Sequence, residues 1–299
     1  MLKRNKLHNL KILDALFPLS FFKNIYGIYC LTENYTTEGY ETFFPNYISI
    51  DSKIAFAFSE DYENGLLYTS QCQGAIELMD QEFTKICDDS LPLFLNLENY
   101  EKQSLYMYEY EHMLQANTAL LHPENGFYTC PPSIIKKKEK EKLIPKDHAQ
   151  LLTKRIAIFR DRLKKSKALE IVSLAGLRNF AATGRLIVYK NIMFSKSERI
   201  EMLKNLLKFI REQENYTLYL MKENNPFYKS NFAVYTIGNE LLYIVPSYTD
   251  FIKMDNIIIR NRGIVESFTE FIHSSFTTED NIIDRNEVAS VISDIIDSI

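Results

Sequence analysis

The residues of this chain best placed to do chemistry are Glu109, Glu111 and His112, which lie within one helical turn and alternate with Tyr106, Tyr108 and Tyr110. Two carboxylates and an imidazole can pass a proton near neutral pH, and tyrosine faces can wall a pocket. Such a pattern suits an enzyme whose site is assembled from dispersed residues. The same spacing describes an amphipathic helix whose tyrosines bury their rings and keep their hydroxyls wet, and this second reading is the expectation. The other histidines, His8, His122, His148 and His273, stand alone: no pair falls at i, i+4, and His-Glu-x-x-His does not occur.

Nine glycines supply neither Gly-x-Gly-x-x-Gly nor Gly-x-x-x-x-Gly-Lys, so the sequence shows no backbone cradle for a phosphate. It also lacks the Gly-x-Ser-x-Gly elbow that would mark a nucleophilic serine. Cys30, Cys72, Cys87 and Cys130 form no Cys-x-x-Cys pair, which argues against zinc and redox motifs and for reduced, packed thiols. The sequence therefore assigns no catalytic, cofactor-binding or metal-ligating residue, expects no cofactor, and favours a role other than enzyme.

Charge is the most unusual feature. Between Lys136 and Lys167 stand 13 Lys/Arg against four acids, Glu139, Glu141, Asp147 and Asp161, a balance of +9. The whole chain has 35 Lys+Arg and 39 Asp+Glu, so the remainder holds 22 against 35 and sums to −13. Dense cations bind phosphates with sequence-independent, salt-sensitive affinity. Lys136, Lys137, Lys138, Lys154, Arg155, Arg160, Arg162, Lys164 and Lys165 are accordingly the candidate nucleic-acid or partner-binding residues. The competing expectation is a solvated linker and a charged helix face that pairs with the acidic remainder.

The elements that must position these groups follow from periodicity. Leu10–Phe22 has helical spacing interrupted by Pro18; Ile25–Leu31 and Ile48–Phe58 read as strands, and Asp61–Gly65 as a turn. Ile76, Met79, Phe83 and Ile86 recur as one face of a helix, and a second helix is expected through Tyr100–Leu121, ended by the turn His122-Pro123-Glu124-Asn125-Gly126. Leu152, Ile156, Phe159 and Leu163 form the next apolar stripe. A short helix over Leu174–Ala182 stops at Gly184, and Ser195-Lys196-Ser197-Glu198 is a capping box opening another helix. Strands are expected at Tyr216–Met221, at Phe232–Ile237 and Glu240–Val245 around Gly238-Asn239, and at Ile257–Ile259; helices through Ile264–Phe271 and Glu287–Ile299 close the chain.

The fold class is α/β (α+β): two α/β halves with mixed or antiparallel sheets flanked by helices and joined by a charged hinge. Cys130-Pro131-Pro132 and the Lys-rich run after it place the hinge, giving an N-terminal α/β domain over 1–130, a linker over 131–150 and a C-terminal sensor-like domain over 151–299. His8, Asn9, Lys11 and Asp14 interrupt any signal-peptide core, and no stretch reaches the ~20 apolar residues that span a bilayer. The expectation is a cytoplasmic protein with no membrane partner.

Leu174-Ala175-Gly176-Leu177-Arg178-Asn179-Phe180-Ala181-Ala182-Thr183-Gly184, followed by Phe194-Ser195-Lys196-Ser197-Glu198-Arg199-Ile200, resembles the C-terminal sensor-like regions of Xre-type transcriptional regulators from low-GC Gram-positive bacteria. In those regions a turn of this composition precedes a capped helix, a strand, a hairpin and closing helices. Tyr216–Met221, Phe232–Val245 and Ile257–Phe271 follow the same order, so the likeness covers Leu151–Ile283. Those regulators begin with a multi-helix DNA-binding domain, whereas residues 1–60 here read as one short helix and two strands. The resemblance implies a bacterial regulator's sensing or interaction part, self-associating or bound to a protein partner or a small effector. It carries over no residue roles. Nucleic-acid binding through the basic 136–167 segment is the alternative function, and a dispersed active site the third.

Overall fold

A computed structural model describes residues 11, 28–29, 46–58, 65–88, 91–92, 95–97, 100–124, 126–186, 192–223, 232–246 and 256–299. The expected helix at Leu10–Phe22 and the turn at Asp61–Gly65 fall almost wholly outside these residues. The chain divides into two compact units, Tyr26–Leu93 and Phe94–Ile299 with Met1–Ile25.

The smaller unit holds β1 (Ile28–Tyr29) paired with β5 (Leu91–Pro92), and an antiparallel sheet of β2 (Asn46–Ile50), β3 (Ile54–Phe58) and β4 (Gly65–Tyr68). The single strand expected over Ile48–Phe58 is a hairpin. Asp51 and Ser52 take φ of 52° and 54° at its turn, a conformation that short polar residues tolerate. Ala55 and Ala57 of β3 pack on Ile76 and Met79 of α1 (Gln73–Asp88), where the small side chains let helix and sheet approach.

The larger unit is built on a seven-stranded mixed sheet. It uses β6 (Leu95–Leu97), β7 (Thr118–His122), β8 (Ala168–Ser173), β9 (Tyr216–Met221), β10 (Phe232–Ile237), β11 (Leu241–Pro246) and β12 (Asn256–Ile259), in the order β6-β12-β11-β10-β7-β8-β9. Pairing is parallel between β7, β8 and β9 and antiparallel elsewhere. The expected α/β class is the observed one. The helices are α2 (Tyr100–Met113), α3 (Pro132–Lys140), α4 (Lys146–Arg162), α5 (Leu174–Thr183), α6 (Lys196–Glu212), α7 (Arg262–Ser275) and α8 (Val288–Asp297).

Strand alternation sends Leu120, Val172, Leu218 and Tyr235 into one core with Met107, Ile134, Phe159, Leu177, Leu206 and Ile292 from the helices. The intervening residues Ala119, Leu121, Ile171, Val234 and Ile244 are buried too. α7 lies against β7 and β11. Each fully buried Leu or Phe side chain contributes about 1.5–3 kcal/mol. Among the described residues no helix is long and apolar enough to cross a membrane.

Two expectations fail and one strand goes unread, each for an identifiable reason. The helix projected through Leu121 stops at Met113, because Thr118–His122 is a central strand hydrogen-bonded on both sides. Ala168–Ser173, buried at every position, is a strand whose lack of alternation hid it; strands covered on both faces read as continuous apolar runs. The linker expected at 131–150 is instead α3 and the start of α4. Pro132 stands at a position where a helix needs no N–H, and Ile134 and Ile135 are buried in the core. The compact units accordingly part near Leu93, not at 131–150.

Candidate functional site

Three cations of the basic stretch, Lys138, Arg155 and Arg162, are drawn into the larger unit's own architecture. α4 carries Arg155 and Arg162 on its buried side. Arg155 Nε and Nη2 donate to the two carboxylate oxygens of Glu111 at 2.9 and 2.7 Å, a bidentate pair, and Nη2 also reaches the Tyr128 hydroxyl at 2.9 Å. Tyr128 in turn donates to Glu111. Burial opposes the Arg155 charge, yet Glu111 and Tyr128 hold the guanidinium well above its ordinary pKa. Arg162 donates to the Tyr235 hydroxyl at 3.0 Å and to the Glu111 carbonyl.

Lys138 is a second buried hub. Its Nζ lies 2.9 Å from both Glu198 Oε2 and Glu141 Oε2 and donates to the Met193 carbonyl. Lys137 takes the other Glu198 oxygen at 2.8 Å, and the Ser195 N–H donates to the same carboxylate at 2.7 Å. Burial alone would raise the Glu198 carboxyl; Lys137, the Ser195 N–H and Lys138 bring it down to about 2. The capping box read from the sequence is therefore also the anchor of α3.

Among the other candidate cations, Lys164 pairs with Asp161, Lys154 stands over the Tyr108 ring, and Arg160 over Phe209. Lys136 and Lys165 are exposed and form no ion pair among the described residues. The nine residues do not converge on one surface site, since Lys138, Arg155 and Arg162 are buried. Glu109, Glu111 and His112 do not converge either: Glu111 turns inward to Arg155, while Glu109 and His112 are exposed.

A polar cluster that sequence reasoning missed lies between His122, the last residue of β7, and Glu170 in the middle of β8. Glu170, the one acid in the run Ala168–Ser173, is fully buried between Leu120 and Leu218 in register. Its Oε2 accepts from the Tyr216 hydroxyl at 2.6 Å, and the Gly126 N–H also donates to the carboxylate. Its Oε1 faces His122 Nε2 at 4.0 Å, and both atoms are buried with no hydrogen-bond partner. Burial raises the Glu170 carboxyl to about 7, although the Tyr216 and Gly126 donors favour the anion. Burial lowers the His122 imidazole to about 4.

Local backbone packing fixes this cluster. A Cβ on Gly126 would sit 2.5 Å from Glu170 Oε1, so only glycine lets this N–H approach. A Cβ on Gly176 would fall 1.6 Å from the Pro123 carbonyl, so the first turn of α5 lies directly on the loop after His122. Ser173 caps α5 by accepting from the Gly176 N–H, and Gly184 closes it at φ 69°. Arg199 donates to the Ala181 and Ala182 carbonyls at the same end. The residues that carry the family likeness thus do structural work at the β8–α5–α6 junction. The signal for Glu170 was present in the sequence: a lone carboxylate within a strand-length apolar run marks a buried titratable group.

A separate surface groove of about 390 Å³ runs between α6 and α8, lined by Lys204, Lys208, Arg211 and Ile296 among others. Among the described residues no group of three or more His, Cys, Asp or Glu is arranged to hold a metal ion.

No family model matches this chain, and no curated protein matches it. Among solved structures it is similar to TrmBL2, an archaeal chromatin protein whose structure is described as showing a novel mode of DNA binding. The likeness covers 76% of each chain at 10% identity, with a TM-score of 0.35. So slight a likeness fixes neither fold nor function.

Proposed function

We propose that this chain is a cytoplasmic regulatory module, akin to the sensing part of Xre-type regulators, that acts by binding a protein partner or small effector. The observation that carries this reading is where its cations are spent. Lys138, Arg155 and Arg162 are buried against Glu198, Glu111 and Tyr235, and Lys137 and Lys164 are paired at the surface. A phosphate-binding face needs cations directed outward and unclaimed, and here the buried cations of the stretch tie α3 and α4 to their neighbours, while Lys136, Lys140, Lys142, Lys146, Lys165 and Lys167 are exposed. The family likeness at Leu174–Gly184 and Phe194–Ile200 supports the regulatory class, and the order of β9, β10, β11, β12 and α7 after it agrees.

The test is a titration of the full chain with duplex and single-stranded nucleic acid. The regulatory reading expects no saturable, salt-sensitive binding. Such binding, abolished when the exposed Lys136, Lys140, Lys142, Lys146, Lys165 and Lys167 are together replaced by Ala, would overturn it in favour of nucleic-acid recognition.

A further inference from the structure

The smaller unit combines two properties that seldom coexist on a surface without a partner. The first is an uncovered apolar sheet face. Ala55 and Ala57 point to α1, so the alternate residues of the same sheet point away from it. Ile54 and Phe56 lie on that outer side, with Ile50 opposite Ile54 and Leu67 opposite Phe56 by register. Their exposures are 39% for Ile54, 36% for Phe56, 50% for Ile50 and 58% for Leu67. Single exposed apolar residues are ordinary, but a contiguous set on one face marks an interaction site.

The second property is charge. Tyr26–Leu93 contains 12 acids and only two lysines, Lys53 and Lys85, a net charge of −10, while the rest of the chain holds 33 cations against 27 acids and sums to +6. The acidity bears on what covers the face. Two copies meeting through it would bring two units of −10 together, which opposes pairing of like with like. A nucleic acid is repelled for the same reason. A cationic segment with an apolar side gains from both properties at once.

We infer that the outer face of the β2–β3–β4 sheet docks a basic, amphipathic segment of a partner protein. Ile50, Ile54, Phe56 and Leu67 supply the apolar contact, and the unit's net charge of −10 supplies long-range attraction. This goes beyond the regulatory reading and does not depend on which family the larger unit resembles.

The experiment uses the full chain and three synthetic peptides of about 18 residues, five helical turns. One is an amphipathic Leu/Lys helix, one a scrambled peptide of identical composition, and one a Leu/Glu helix. The first is expected to bind and to weaken as salt rises, the second to bind at least about tenfold more weakly, and the third not at all. Phe56→Ser with Leu67→Ser is expected to cut Leu/Lys binding at least about tenfold while circular dichroism stays unchanged, because both side chains are exposed. Should that variant fail to fold, Leu67→Thr alone serves, with its β propensity retained. Equal binding of the scrambled peptide overturns the inference, since charge alone would then suffice. Undiminished binding by the variant overturns it as well. So does a concentration-dependent dimer of the wild type that the variant abolishes, because the face would then be covered by a second copy.

Discussion

His122 Nε2, at the end of β7, stands 4.0 Å from Glu170 Oε1 in the middle of the parallel neighbour β8, and neither atom has a hydrogen-bond partner. The two groups respond to burial in opposite senses, and their protons are linked to folding in opposite directions.

Glu170 is raised from 4.5 to about 7, so its contribution is complete below pH 4.5 and is lost as pH rises through 7. His122 is lowered from 6.5 to about 4, so its contribution is present above pH 6.5 and is lost as pH falls through 4. Between about pH 4.5 and 6.5 the two slopes oppose and largely cancel in the wild type. Glu170→Gln is expected to leave only the His122 arm, with stability rising over that interval. His122→Asn leaves only the Glu170 arm, with stability falling by up to ~3 kcal/mol by neutral pH. Urea denaturation at several pH values checks both. Superimposable profiles for wild type and variants would refute the pairing.

Arg155 and Glu111 form a buried ion pair, bidentate and backed by Tyr128. Arg155→Met strands the Glu111 carboxylate in the core and is expected to cost about 3–5 kcal/mol. Adding Glu111→Leu removes the stranded charge and is expected to restore most of that loss, because isolated buried pairs seldom exceed an apolar replacement in net stability. Chemical denaturation of both variants decides it. A single-variant loss below about 1 kcal/mol would show the pair to be solvated.

Glycine substitutions separate packing from propensity. Gly176→Ala drives a methyl onto the Pro123 carbonyl, backbone that cannot swing aside, and is expected to cost more than about 3 kcal/mol or to prevent folding. Gly184→Ala at φ 69° pays for the left-handed backbone, about 1–2 kcal/mol, and its Cβ also meets the Phe194 carbonyl at 2.2 Å. Gly74→Ala, in the first turn of α1 with nothing within 4 Å, is expected to be neutral or to stabilise by up to about 1 kcal/mol. Thermal unfolding ranks the three. An order other than 176, 184, 74 from most to least harmful would contradict the packing described.

Much of the larger unit's second half was legible because its signals are local. The Ser195–Glu198 box, the Gly184 stop and the hairpin at Gly238 depend on backbone chemistry within a few residues; all three are in place, though the hairpin loop takes in Glu240 and the second strand starts at Leu241. β7 and β8 were not legible as strands, because their residues are dictated by pairing on both sides and burial on both faces. α3 was masked by its lysines: Lys138 looks like a solvated charge until Glu198, 60 positions away, is placed beside it. The candidate site suffered similarly. Glu109, Glu111 and His112 are neighbours in sequence but diverge around α2, whereas His122 and Glu170 are brought together by parallel strand pairing alone. Charge read as one basic block against an acidic remainder divides, by compact unit, into −10 for the smaller and +6 for the larger.

The central claim, that the basic stretch builds the protein instead of gripping phosphate, is tested most directly by a salt series. Association of the full chain with a duplex is followed by fluorescence anisotropy between about 50 and 200 mM salt. The account predicts weak association whose logarithm hardly changes with the logarithm of salt. A slope near −4 or steeper, at about 0.9 per phosphate neutralised, would mean that at least about four cations hold the backbone, and would contradict it.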